Sequence, residues 1–220
     1  MRTRLCIIVL SVVLFTGITT ASAGNKTYDF NDPKGVNAVS IIVDSMLEPN
    51  VGYADKVKGS VIIDHAGKKI VKGEITIPTG SVTMSNSMMT KVLHSKDWLN
   101  KKKNPEISFV FNKVISITDM GDTEFKVTVQ GALTVKGITK TVSAPISLSF
   151  YPGKLSMRNK GANGDIALLR SEFEISRADF QIKPGMSTDI VGDIGQLHMN
   201  QLLPLNNSAI KKLFVINDCF

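Results

Sequence analysis

Between Phe125 and Val135 apolar and polar residues alternate without a break. Phe125, Val127, Val129, Gly131, Leu133 and Val135 fall on one side, and Lys126, Thr128, Gln130, Ala132, Thr134 and Lys136 on the other. A period of two sustained over that length specifies a β-strand with one buried face and is incompatible with a helix, whose face recurs every ~3.6 residues. The same period returns in Val39, Ile41 and Val43, in Val57 to Ile63, in Val71 to Ile77, in Ile107, Phe109 and Phe111, and in Val142 to Phe150. Turn chemistry separates these runs: His65-Ala66-Gly67-Lys68, Asp119-Met-Gly-Asp-Thr123 and Gly137. Phe173 with Ile175, and Leu197 with Met199, give two further strands around a turn-rich stretch.

About eight antiparallel strands, each with one apolar face, have two closed solutions, a sandwich or an up-and-down barrel. Gly131, in the middle of the strongest strand, favours the barrel, because a residue without a side chain relieves crowding at a bend; a local bulge is the alternative. The fold expected is therefore all-β, an eight-stranded antiparallel barrel wide enough for one elongated ligand.

One stretch departs from the period of two. Met88, Met89, Val92, Leu93 and Leu99 share a helical face, with Ser85 or Ser87 as cap. Lys101, Lys102 and Lys103 suit a helix C-terminus, and Asn104-Pro105 ends it. This predicts one covering helix running into the strand at Ile107.

At the N-terminus Arg2 and Arg4 precede an apolar run from Leu5 to about Ile18, and Ala21-Ser22-Ala23 has the small residues of a cleavage site. The expectation is an exported, periplasmic or secreted protein: signal peptide 1–23, barrel 24–205 and a short apolar tail 206–220. Removal of 1–23 leaves 197 residues and lowers the formal charge from +7 to +5. It also removes Cys6 and leaves Cys219 alone, so no disulfide closes within the chain and the core must hold the fold.

Four segments resemble the YceI-like family. The most specific is Gly131-Ala-Leu-Thr-Val-Lys-Gly-Ile-Thr-Lys140, similar to the family's strand, KG turn and TK pair. Leu93, Ser95 and Asp97 through Pro105-Glu-Ile-Ser-Phe109, Ser176-Arg-Ala-Asp-Phe180, and Tyr28 with Val57 to Asp64 are the others. Met89, Thr90 and Val92 stand where the family often carries Arg, Asp and His, and Gln181 stands where a glycine is common. The resemblance implies a lipocalin-like barrel that binds polyisoprenoid or related long-chain lipids. On that footing the apolar lining is Ile41, Val43, Val61, Ile63, Ile75, Ile77, Phe109, Phe111, Val127, Val129, Ile146 and Leu148, with Met88 and Val92 at the cover. Asn86 and Arg177 are the polar head-group candidates, although Arg177 read by itself is a structural anchor.

His65, His94 and His198 form no metal-ligand spacing, and no nucleophile, phosphate-loop or dinucleotide motif occurs. No catalytic residue, metal or cofactor is expected; an isoprenoid or quinone-type lipid would be a ligand. Lysines do not interleave with aromatics as a nucleic-acid platform requires. The mildly basic surface suits peripheral contact with a membrane or envelope proteins, and a homodimer stays open. The rival reading is a packed-core interaction protein with no ligand.

Overall fold

In the computed structural model, residues 24–205 are described, apart from 33, 48 and 49. The expected signal peptide 1–23 with Cys6 and the tail 206–220 with Cys219 lie outside them. Among the described residues eleven strands form one sheet: β1 Lys26–Asp29, β2 Ala38–Val43, β3 Asn50–Ala54, β4 Lys58–Asp64, β5 Lys69–Pro78, β6 Val82–Met84, β7 Glu106–Asp119, β8 Glu124–Val135, β9 Ile138–Tyr151, β10 Ile166–Ser176 and β11 Ile194–Pro204. Their order is β1-β4-β5-β7-β8-β9-β10-β11-β2-β3-β6. Every pair is antiparallel.

The count exceeds the expected eight, and the topology explains the excess. Tyr28 of β1 bridges Leu205 just past β11, so at that end the sheet curls round to meet itself. Further along the same edge of β11, β2 pairs instead, and β3 and β6 follow it as a three-stranded flap. The strands β1, β3 and β6 are three to five residues long, too short to carry a visible period.

Two further expectations are corrected. The helix, α1, spans only Ser87–Leu93. Asn86, not a serine, caps it, its side-chain oxygen accepting from the Met89 N–H at 2.7 Å. Beyond it the chain turns rather than winds: Leu99 N–H donates to Leu93, Asn100 N–H to Ser95, and Asn100 takes a positive φ of 49°. The lysine run thus sits on turns. Alternation marks the next strand only at Phe173 and Ile175, yet β10 begins at Ile166, because Ile166-Ala-Leu-Leu169 is continuously apolar and shows no alternation.

Gly131 has a specific role. It lies opposite Phe111, and a Cβ added there would collide with the Phe109 ring, which crosses the space a side chain would fill. The bulges fall on the partner strand, after Phe111 and after Val114.

The barrel interior is uneven. Where β1, the start of β8, the end of β9 and the end of β11 converge, Tyr28, Phe30, Ile63, Phe125, Val129, Leu148, Phe150 and Leu203 are all buried. Phe125 and Phe150 stack with ring centres 5.6 Å apart, and Tyr28 lies 6.2 Å from Phe150. Side chains fill this half.

Candidate functional site

The other half is hollow. At the end of β5, the start of β7, the end of β8, the end of β10 and the start of β11, inward side chains surround a cavity of about 430 Å³. That volume lies in the range of small-molecule sites. Its wall is almost wholly apolar; the polar members are Asn50, Ser108, Ser171, Arg177 and Asp193. The flap contributes Val39, Ile41, Val43, Ala54 and Val82, and α1 with the turn after it contributes Met88, Met89, Val92, Leu93, Trp98 and Leu99. Met88 and Val92 line the cavity and are also 75% and 46% exposed, which marks the mouth.

The structure sorts the expected lining by height along the barrel. Ile41, Val43, Ile75, Ile77, Phe109 and Ile146 lie on the cavity wall, with Met88 and Val92 at its mouth. Val61, Ile63, Val127, Val129 and Leu148 point inward too, but in the filled half, where they pack on one another and on the aromatic cluster. Phe111 packs against that core from β7 and is not on the wall. Residues that sequence reasoning missed include Trp98, the chain's single tryptophan, and Phe173, Ile175 and Leu197, whose strands were seen but not placed.

Of the two head-group candidates, Asn86 is outside the wall and engaged in capping. Arg177 is on the wall and 8% exposed. Its Nε donates to the Gly192 carbonyl at 3.1 Å, Nη1 to Ile182 at 2.7 Å and Lys183 at 2.9 Å, and Nη2 to Val191 at 3.1 Å. The guanidinium also lies 5.9 Å from the centre of the Trp98 ring. A planar fork with five N–H groups suits this work, tying the 180–192 loop to the end of β10 while one N–H remains. Asp193 is held beside it: its carboxylate accepts from the Ser176 hydroxyl at 2.6 Å and the Ala178 N–H at 2.9 Å. In mid-wall the Ser171 hydroxyl donates to the Pro145 carbonyl at 2.7 Å.

The histidines are dispersed. His65 shares a hydrogen bond of 2.9 Å with Tyr28, His94 bonds the Val82 carbonyl at 2.8 Å, and His198 lies 3.5 Å from Glu172. Asp97 pairs with Lys183 and Asp179 with Lys140 at the surface. Among the described residues no three His, Cys, Asp or Glu side chains gather as a metal would require.

The profile of the YceI-like domain matches residues 16–201. The chain belongs to the YceI-like family. The curled antiparallel sheet, nearly all-β with one helix, is the lipocalin-like class of that family. A UPF0312 protein of Pseudomonas aeruginosa is 33% identical over 90 residues, 41% of this chain, and the chain spans 44% of that relative's length. Burkholderia cenocepacia BcnA superposes with a TM-score of 0.59 at 24% identity, over 76% of this chain and 95% of the other. A polyisoprenoid binding domain from Saccharophagus degradans, implicated in plant cell wall breakdown, superposes with a TM-score of 0.58 at 10% identity, over 83% of this chain and 99% of the other. These likenesses establish a shared fold with YceI and polyisoprenoid-binding domains.

Proposed function

We propose that this YceI-like protein is an exported, non-enzymatic carrier that holds the chain of an isoprenoid, or of a similar amphiphile such as a quinone, in the hollow half of its barrel. The observation that carries this reading is a cavity of about 430 Å³ whose wall is almost wholly apolar and which opens beside α1. Family membership and the fold shared with a polyisoprenoid binding domain support the choice of ligand class. Each methylene taken from water contributes ~0.8 kcal/mol, so about ten give roughly 8 kcal/mol before ordering costs. Affinity at the micromolar level then needs no special contact. Arg177, Asp193 and Asn50, with Ser108 and Ser171, supply the polar part of the wall, and Arg177 and Asp193 are set by their backbone and hydroxyl bonds before any ligand arrives.

Native mass spectrometry of protein purified from the exported fraction, followed by solvent extraction, tests the reading. A discrete extra mass that extracts as a long-chain lipid is expected. A bare chain mass that stays bare after incubation with quinone and polyprenyl lipids would overturn it in favour of a ligand-free interaction protein.

A further inference from the structure

Large apolar side chains are exposed on several of the elements that border the mouth. Val43 and Asn50, at the two ends of the hairpin between β2 and β3, both line the cavity, and the hairpin beyond them exposes Met46 by 74% and Leu47 by 72%. On one flank the Ser85 N–H donates to the Val51 carbonyl at 3.1 Å, which sets the start of α1, with exposed Met88, beside the base of that hairpin. On the other flank Gly192 packs so closely on the Asp44 carbonyl that no Cβ would fit. Met186 and Val191 of that loop line the cavity, and Ile190 beside them is exposed. Three separate elements thus present unburied Met, Leu and Ile at the entrance of an apolar cavity, where ordinary solubility would place polar residues.

The charge beside this rim has a sign. From Ser85 to Asn104, the segment forming the α1 flank of the mouth, Lys91, Lys96, Lys101, Lys102 and Lys103 are all exposed, and Asp97 is the single acidic residue. Asp97 is itself engaged by Lys183 at 3.1 Å. Among the described residues the carboxylates on the hairpin and loop side are Asp44, Asp189 and Asp193, the last held by the Ser176 hydroxyl and the Ala178 N–H. Apolar tips flanked by a lysine-rich segment match the boundary between acyl chains and anionic headgroups, where lysines are attracted to the negative surface.

We propose that the rim is a docking surface for an anionic lipid bilayer, seated so that the cavity mouth faces the membrane and a ligand crosses between them without entering bulk water. The purpose rests on the lipid-carrier reading; the docking itself is measured without it. Flotation of the purified protein with vesicles of phosphatidylglycerol and phosphatidylethanolamine should carry it upward, less so in high salt and less with phosphatidylcholine alone. The combined variant Met46→Ser, Leu47→Ser, Ile190→Ser, none of which lines the cavity, should lose at least tenfold in vesicle affinity. Lys91→Glu with Lys96→Glu should lose chiefly the preference for anionic lipid. Ile115→Ser, about as exposed as Ile190 but outside the cavity lining on β7, should float as the parent does.

A parent protein that stays in the soluble fraction, or a rim variant that floats unchanged, would overturn the proposal. So would a dimer in light scattering that the rim variant dissociates without any vesicle binding, which would assign the rim to a second copy of the chain. Farnesol titrated against the fluorescence of Trp98 reports the cavity separately. A farnesol response without flotation removes the docking and leaves the carrier; flotation without a farnesol response does the reverse.

Discussion

Tyr28 and His65 meet in the filled half, and their protonation is set by burial. Burial, reinforced by the Lys26 charge, holds His65 below the ordinary histidine range, and burial keeps the Tyr28 phenol protonated far above neutrality. The neutral imidazole shares the Tyr28 bond and packs 4.2 Å from Phe150. A base whose folded pKa is depressed costs nothing above its unfolded value of ~6.5, where both states are neutral. As pH falls from there towards the folded value, the unfolded chain takes up the proton first, so stability declines across that window. Urea unfolding at pH 7.5, 6.0 and 5.0 should show this decline, and His65→Phe should flatten it in the difference from the parent. The same variant should cost about 1–2 kcal/mol at pH 7.5, because the Tyr28 hydroxyl loses its partner. Arg177 makes a related point about legibility. Read by itself Arg177 is a structural anchor, which the fold bears out, but only the fold reveals that its partners are four backbone carbonyls converging on it.

Strands were legible in proportion to how strictly they alternate. β8 and β9 could be traced nearly to their ends because each has one wet and one dry face throughout. The first half of β10 was hidden, since Ile166 to Leu169 is apolar on both faces, and β3 and β6 were hidden by brevity. The helix was overextended because lysines and an Asn-Pro pair serve a helix end and a set of turns equally well. The close contact between β7 and β8 was partly legible: Gly131 signalled crowding, but not that the crowding comes from the Phe109 ring. Gly131→Ala should therefore destabilise by roughly 2 kcal/mol through overpacking. Combined with Phe109→Ala, the glycine change should cost less than it does alone, as a double-mutant cycle in denaturant would show. Recovery should be partial, since the Val110 carbonyl would still stand 2.7 Å from the new Cβ.

At the scale of the whole barrel, alternation tells which face of a strand is inside and says nothing about height along the axis. That is why the expected lining divides between a filled and a hollow half, and why neighbours on one face of β9 have different tasks. Leu148 is fully buried in the filled half, whereas Ile146, two residues away, borders the cavity. Leu148→Ala should lose about 3 kcal/mol. Ile146→Trp should occupy part of the hollow, displacing ligand mass in native spectra while moving the unfolding midpoint by less than ~1 kcal/mol. Exchange of these two outcomes would refute the division.

The flap also dictates an order of assembly. β2 has no seat until β11 exists, because Val39 pairs with Met199 and Val43 with Gly195, and β3 and β6 attach only through β2. Tyr28 likewise waits for Leu205. Loop closure over such separations is slow. β2 must therefore stay unpaired on that edge until Ile194–Pro204 has been made, so a nascent chain carries its cavity as an open trough, and the wall shuts only when a strand about 150 residues downstream is delivered to it.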